Sequence, residues 1–112
     1  MLKHTQSQRK DTTVLELSGN LDSLTVPEVR PVIEKIVATG AKRVAVVLSG
    51  LELIDSSGIG AIVSLFKRIR SLGGDVKLVA VRGQPLEILR LLNLHRAFDL
   101  VASLEEAEKR FQ

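Results

Sequence analysis

The sequence predicts an α/β fold: a mostly parallel sheet of about four to five strands, with an N-terminal antiparallel edge strand, covered by about four helices. Three observations predict it. Short runs rich in β-branched residues, at 43–48 and 76–81, alternate with longer stretches of helical periodicity. The first of these runs is apolar at consecutive positions over 44–48 rather than alternate ones, the pattern of a strand covered on both faces. The chain has 112 residues, 45% of them hydrophobic and 26% charged, which suits one core with an ordinary wet surface and leaves no room for two domains. Residues 1–112 are therefore read as one domain.

The elements follow in order. Residues 2–8 are polar and weakly patterned, an edge strand. Arg9-Lys10-Asp11-Thr12 is a turn, and Thr13-Val14-Leu15-Glu16-Leu17 alternates like a half-buried strand that pairs back as an antiparallel hairpin. Ser18-Gly19-Asn20 is expected to break that strand. Thr25 with Glu28 forms the S/T-x-x-E pattern of a capping box, and Pro27 stands in the first turn. Val26, Val29, Ile33, Ile36 and Val37 then recur at helical spacing until Gly40. Pro31 falls inside this helix and is expected to kink it or delay its start.

The doubly covered strand 43–48 comes next, and residues 49–55 are expected to form a loop carrying Leu51, Leu53 and Ile54. A helix over 57–72 buries Ile59, Ile62, Val63, Phe66 and Ile69 and wets Ser64, Lys67, Arg68 and Arg70, until Gly73-Gly74 stops it. A strand at 76–81 is followed by a helix opening near Gln84-Pro85, with Leu86, Leu89 and Leu92 spaced along it. A short strand at 98–101 leads to the last helix, where Ser103 and Glu106 make a second capping box.

Composition excludes several function classes. There is no cysteine, so disulfides, thiol nucleophiles and thiolate metal sites are all out. His4 and His95 lie far apart without carboxylate company, which gives no metal site. The Gly58-x-Gly60 pair lacks the third glycine of a dinucleotide fingerprint, since Val63 stands there, and no P-loop lysine or G-x-S-x-G elbow occurs. Neither a cofactor nor enzymatic activity is expected. The net charge of +3 is small and scattered, and aromatics make up only 3%, so nucleic-acid binding is not expected. The apolar runs are too short for membrane insertion, and residues 1–8 lack a signal peptide's apolar stretch. A cytoplasmic location is expected.

One segment stands apart: Asp55-Ser56-Ser57-Gly58-Ile59-Gly60, between the buried strand and the second helix. A helix start presents unpaired backbone N–H groups and the positive end of the dipole, and both stabilise an anion such as a phosphate. Gly58 and Gly60 carry no side chain, so a partner's backbone or a nucleotide could come close. Taken alone, Asp-Ser-Ser-Gly is ordinary helix capping, and Asp22, taken alone, is an ordinary turn residue.

The neighbouring residues add weight. Residues 19–25 (Gly19-Asn20-Leu21-Asp22-Ser23-Leu24-Thr25), Leu48-Ser49-Gly50-Leu51, and Ile54-Asp55-Ser56-Ser57-Gly58-Ile59-Gly60 occur in this order. So do Leu91-Leu92-Asn93-Leu94-His95, Ala97-Phe98 and Ser103-Leu104-Glu105-Glu106-Ala107 in the tail. This arrangement resembles the STAS domain family, the anti-sigma factor antagonists of bacterial partner switching, over residues 12–110.

The resemblance implies a STAS-type single domain and a function. The second hydroxyl residue of the motif, Ser57 here with Ser56 as the alternative, would be phosphorylated by an anti-sigma factor that is itself a serine kinase. The unphosphorylated form would bind that kinase, the phosphorylated form would let go, and a phosphatase would reset it. Asp22, Ser23, Thr25, Asp55, Ser56, Ser57, Gly58, Ile59 and Gly60 are the implied contact residues. The resemblance also admits a constitutive subunit or scaffold of a larger assembly, such as a stressosome or a lipid-transport complex. A hydroxyl at position 57 favours the switch, because a permanent scaffold does not need one.

Overall fold

A computed structural model describes residues 1–111. Among these, strands β1 (Leu2–Arg9), β2 (Thr12–Leu21), β3 (Arg43–Ile54), β4 (Asp75–Val79) and β5 (Asp99–Val101) form one sheet in the order β1-β2-β3-β4-β5. The β1–β2 pair is antiparallel and the others are parallel. Helices α1 (Val26–Ala38), α2 (Ser56–Ser71), α3 (Gly83–Leu91) and α4 (Leu104–Arg110) complete the described chain. The order and sense of the elements agree with the sequence reading.

The faces of β3 explain its unbroken apolar run. Val44, Val46 and Leu48 join the larger core with α1, α2 and α3, through residues such as Val29, Ile33, Ile62, Leu65 and Leu89. Ala45 and Val47 point the other way, into a smaller core with Val79, Val101, Ala107 and Phe111 beneath α4. Leu65 is fully buried, although the sequence reading omitted it from the buried face of α2. The three phenylalanines are shared between the layers: Phe66 meets Phe98 edge-on at 4.8 Å, and Phe111 lies under α4.

Several expectations need correction. Residues 49–54 are strand, not loop: β3 runs to Ile54 and pairs with the end of β2, Gly19 with Leu51 and Leu21 with Ile54. Ser18-Gly19-Asn20 does not end β2 either. Instead the register shifts twice, between Glu16 and Ser18 and between Gly19 and Asn20. These bulges absorb the turn-forming residues without breaking the pairing. Gly19 adopts φ +95°, and a Cβ on Gly50 would sit 2.7 Å from the Ser18 Cβ, so both glycines are required where the strands bend against each other.

Pro31 does not delay α1, which starts at Val26 and continues through the proline. The bond it forfeits is to the Pro27 carbonyl, and both prolines lie on the exposed side of the helix, where solvent has access. Arg68, read as freely solvated, instead bridges α2 to Glu34 of α1 through both guanidinium nitrogens, one at 3.1 Å. Lys77, inside the apolar β4 run, is only 4% exposed. Its ammonium bonds Asp75 at 3.1 Å and Asp99 at 3.0 Å and lies 4.8 Å from the Phe111 ring centre. Arg110 of α4 reaches the other Asp99 oxygen at 2.7 Å.

That carboxylate therefore fastens α4 to the sheet. Burial works against the charged form of Asp99, but Lys77 and Arg110 outweigh it and the pKa falls below the usual carboxylate value. A depressed native pKa stabilises the fold above the ordinary carboxylate range, and that stability drains away as pH falls through the depressed value. We expect Asp99→Asn to lose about 1–3 kcal/mol in urea denaturation at neutral pH. Its stability should also decline less steeply than the wild type's on acidification; an equally steep decline would remove Asp99 from this role.

Candidate functional site

The site lies at the C-terminal ends of two adjacent parallel strands, where open α/β sheets hold their ligands. β4 pairs with β3 only as far as Val47, so the second half of β3 projects beyond it, flanked by β2. Leu21 and Ile54 are paired residues at the two strand ends. The segments that follow them, 22–25 and 55–57, are therefore neighbours in space.

Asp55 joins the two segments. It is the N-cap of α2, and its Oδ1 accepts the Gly58 N–H at 3.0 Å. Its Oδ2 accepts the Ser23 N–H at 3.1 Å, across the gap to the neighbouring turn. Its backbone N–H donates to the Leu21 carbonyl at 3.2 Å. The Gly58 amide is the largest influence on the Asp55 carboxyl and lowers its pKa. Partial desolvation opposes this, the Ser23 and Ser57 amides add to the lowering, and the group stays below its usual value. Asp55 is thus an exposed anion fixed in orientation by backbone donors.

The turn before α1 is built differently from the sequence expectation. Thr25 does not cap the helix with its side chain, so no capping box forms with Glu28. Its hydroxyl donates to the Asn20 carbonyl at 2.9 Å and accepts the Asp22 N–H at 2.9 Å. Asp22 closes the turn ahead of the helix, its Oδ1 accepting from Leu24 N at 3.0 Å and Thr25 N at 3.1 Å. The Asp22 carboxylate is half-buried and occupied by its own turn. The second expected box, at α4, forms in altered shape. Ser103 Oγ accepts the Glu106 N–H at 3.1 Å, while the Glu106 carboxylate reaches back one residue further, to Ala102 N.

The nine residues implied by the resemblance divide by exposure. Ser23, Asp55, Ser56, Ser57 and Gly60 are exposed, Asp22 is half-buried, and Thr25, Gly58 and Ile59 are buried. The buried three lie beneath the domain's own packing, where they shape the surface. The two glycines part company for the same reason. A Cβ on Gly58 would lie 2.5 Å from the Leu21 carbonyl oxygen and 2.7 Å from Ile54 Cγ1, whereas a Cβ on Gly60 meets nothing within 4 Å. Gly58 is glycine because the fold needs it. Gly60 is glycine for no reason inside the domain.

Four residues near the site escaped the sequence reading. Gln84 of α3 pairs with both backbone groups of Ile54, Oε1 accepting at 2.9 Å and Nε2 donating at 3.0 Å, and so supplies the strand edge that β4 is too short to provide. Leu24 and Leu53 are 84% and 52% exposed, one in the Asp22–Thr25 turn and one next to Ile54, an apolar pair flanking the polar centre. An apolar side chain in a motif looks like core, which is why neither drew attention. Arg30 lines a groove of about 380 Å³ between α1 and α2, together with Glu34, Ser57, Gly60, Ala61 and Ser64.

Comparison with known proteins decides the family, because the STAS domain profile matches residues 5–107. The chain belongs to the STAS domain family. A relative in Thermotoga maritima, provisionally named an anti-sigma factor antagonist, is 34% identical over 76 residues, covering 68% of this chain and 67% of its own. The anti-sigma-B factor antagonist of Bacillus subtilis is 24% identical over 98 residues, covering 88% of this chain and 89% of its own. Among solved structures, the Thermotoga maritima protein superposes with a TM-score of 0.90 at 27% identity, over 96% of this chain and 93% of that one. The Bacillus anti-sigma factor antagonist SpoIIAA, solved both unphosphorylated and phosphorylated, shares the fold of this STAS domain. Its phosphorylated form gives a TM-score of 0.77 at 23% identity, over 96% of this chain and 98% of that one.

Two glycine substitutions in this STAS domain separate packing from surface. Gly58→Ala should destabilise it by about 1–3 kcal/mol, because the new methyl has backbone and core atoms in its way. Gly60→Ala should stabilise it by roughly 1 kcal/mol, the ordinary gain inside a helix. Equal effects in thermal denaturation would contradict this division. Asp55→Ala should lower Tm by about 4–8 °C through loss of the cap, and Asp55→Asn by less, since the amide oxygen still caps.

Proposed function

We propose that this STAS domain is an anti-sigma factor antagonist: it binds an anti-sigma factor that is also a serine kinase, and phosphorylation of Ser57 releases it. The observation that carries the reading is the exposure of the Ser57 hydroxyl in the first turn of α2, beside Asp55 and next to the Asp22–Thr25 turn. The names of the relatives and the two phosphorylation states of SpoIIAA support it. In the transfer, the Ser57 oxygen attacks the γ-phosphorus of the kinase's ATP, ADP leaves, and the hydroxyl proton passes to a base on the kinase. A phosphatase restores the serine by hydrolysis. The need for ATP places the domain in the cytoplasm, and its own role is to bind and be modified, not to catalyse.

Release follows from charge on a rigid surface. A phosphoserine adds about −1.5 to −2 charges and three acceptor oxygens. Asp55 cannot move aside, because two backbone amides hold it, and its low pKa keeps it charged alongside the phosphate. A partner covering this patch must desolvate both anions, and each 1.4 kcal/mol so lost weakens binding about tenfold. Leu24 and Leu53 supply the apolar contacts that such an interface needs around its polar centre. Gly60 leaves room there for a close backbone, at a helix-propensity cost that nothing inside the domain repays.

Incubation with its cognate anti-sigma kinase and ATP, followed by peptide mapping, tests the site: Ser57→Ala should take up no phosphate. If Ser57→Ala is modified while Ser56→Ala is not, the modified residue is Ser56. Ser57→Asp should weaken kinase binding by tenfold or more in calorimetry. Leu24→Ala should weaken it comparably while leaving Tm nearly unchanged, since this residue is 84% exposed in the free domain. Undiminished binding by Ser57→Asp, with a kinase that binds the wild type, would favour a constitutive scaffold instead.

A further inference from the structure

We propose that Arg30 receives the Ser57 phosphate within the same molecule, so that the modified side chain docks into the groove between α1 and α2. The inference rests on the phosphorylation of Ser57 proposed above and concerns what the phosphate does once attached.

The groove has two unlike walls. From α2 it is lined by Ser57, Gly60, Ala61 and Ser64, at helical spacing and all small. From α1 it is lined by Ile33 and by Arg30 and Glu34, the two charged residues one turn apart. At its far end the Glu34 carboxylate is engaged by Arg68, which holds the Glu34 pKa low through a hydrogen bond, so Glu34 is neutralised by its own partner. Arg30 has no such arrangement. Among the described residues its guanidinium makes no hydrogen bond or ion pair. It is an exposed, unpaired cation facing the residue that would carry a dianion.

Direction favours the contact. Side chains on a helix lean toward its N-terminus. α1 and α2 both follow strands of a parallel pair and run the same way, so Arg30 leans along the groove toward the end where Ser57 stands. The absent side chain at Gly60 leaves that path open. A guanidinium presents a planar fork matched to phosphate oxygens, and small walls give the phosphate space to reach it. The charged groups around the phosphate would then be Arg30 in its favour, Asp55 against it, and the mutually satisfied Glu34–Arg68 pair. A consequence follows for the partner: Arg30 is available to an acidic group of another protein only while Ser57 is unmodified. Phosphorylation therefore adds an anion and removes a cation from the same face.

The test installs phosphoserine at position 57 during translation, which removes any dependence on a kinase, and follows the phosphate by 31P NMR against pH. Phosphoserine has a second pKa near 6. Arg30→Gln should raise that pKa by about 0.5 unit, the size expected of one guanidinium ~5 Å away in a solvated setting, and Arg30→Lys by less. Lys67→Gln removes the same charge from an exposed site about 15 Å further along α2 and should not move it. Unchanged titration in Arg30→Gln, or an equal shift in Lys67→Gln, overturns the proposal. Failure of the kinase to modify Ser57 would overturn the switch and leave this titration standing.

Discussion

The Asp55 carboxylate is the constraint on which the site depends. One oxygen ends α2 by accepting from Gly58, and the other crosses to the Ser23 amide. The residue's own amide is already committed to Leu21. Three bonds thus lock the end of β3, the start of α2 and the turn after β2 into one unit. The positions of Ser56, Ser57, Ser23 and the exposed Leu24 all follow from it. Asp22 and Thr25 then close the turn on itself, so that the Ser23 amide is presented to Asp55 and not to solvent. Gln84 completes the frame from α3 by holding Ile54 on its open edge.

Rigidity of this kind narrows the possible effect of a modification. The helix carrying Ser57 is capped, its third residue is packed against Leu21 and Ile54, and α2 is strapped to α1 by Arg68 and Glu34. A phosphate on an exposed side chain of such a frame would stand beside the cation proposed to receive it, and nothing in the core has to yield. Its effect is therefore on what the surface presents. This favours electrostatic occlusion over a change of fold as the way the proposed partner is lost, since occlusion requires only that the partner cover a patch that has become more negative.

Much of this was legible in the sequence because the periodic signals are strong. The β-branched run at 43–48 announced a strand covered on both sides, the run at 76–81 announced another strand, and the spacing of Val29, Ile33 and Ile36 announced α1. The failures share a cause: each depends on a contact distant in sequence. Ser18-Gly19-Asn20 and Ser49-Gly50 look like turns locally, yet they pair with each other across a bulged register that local propensity cannot express. Thr25 satisfied the pattern of a capping box, but its hydroxyl found the Asn20 carbonyl, and the Asp22 carboxylate closed the turn ahead of the helix. Arg68 read as solvated because its carboxylate lies 34 positions away, and Lys77 passed unnoticed inside an apolar run because Asp99, one of its two partners, lies 22 positions away. The site motif itself was plain; the division of its residues into surface and support was not, because exposure is decided by α1 and β2.

The contrast between Gly58 and Gly60 carries this division furthest. Two glycines two residues apart in one motif invite one explanation, either capping geometry or room for a ligand. The structure gives them different ones. Gly58 is fixed from within, since the Leu21 carbonyl and the Ile54 side chain occupy the space of any Cβ. Gly60 faces the open groove, where a methyl would cost the fold nothing and would help the helix. A fold-derived reason can therefore be given for the first but not for the second. A helix that forgoes this stabilisation does so on the face it shares with Ser57 and Arg30, the face on which the proposed phosphate and partner would meet.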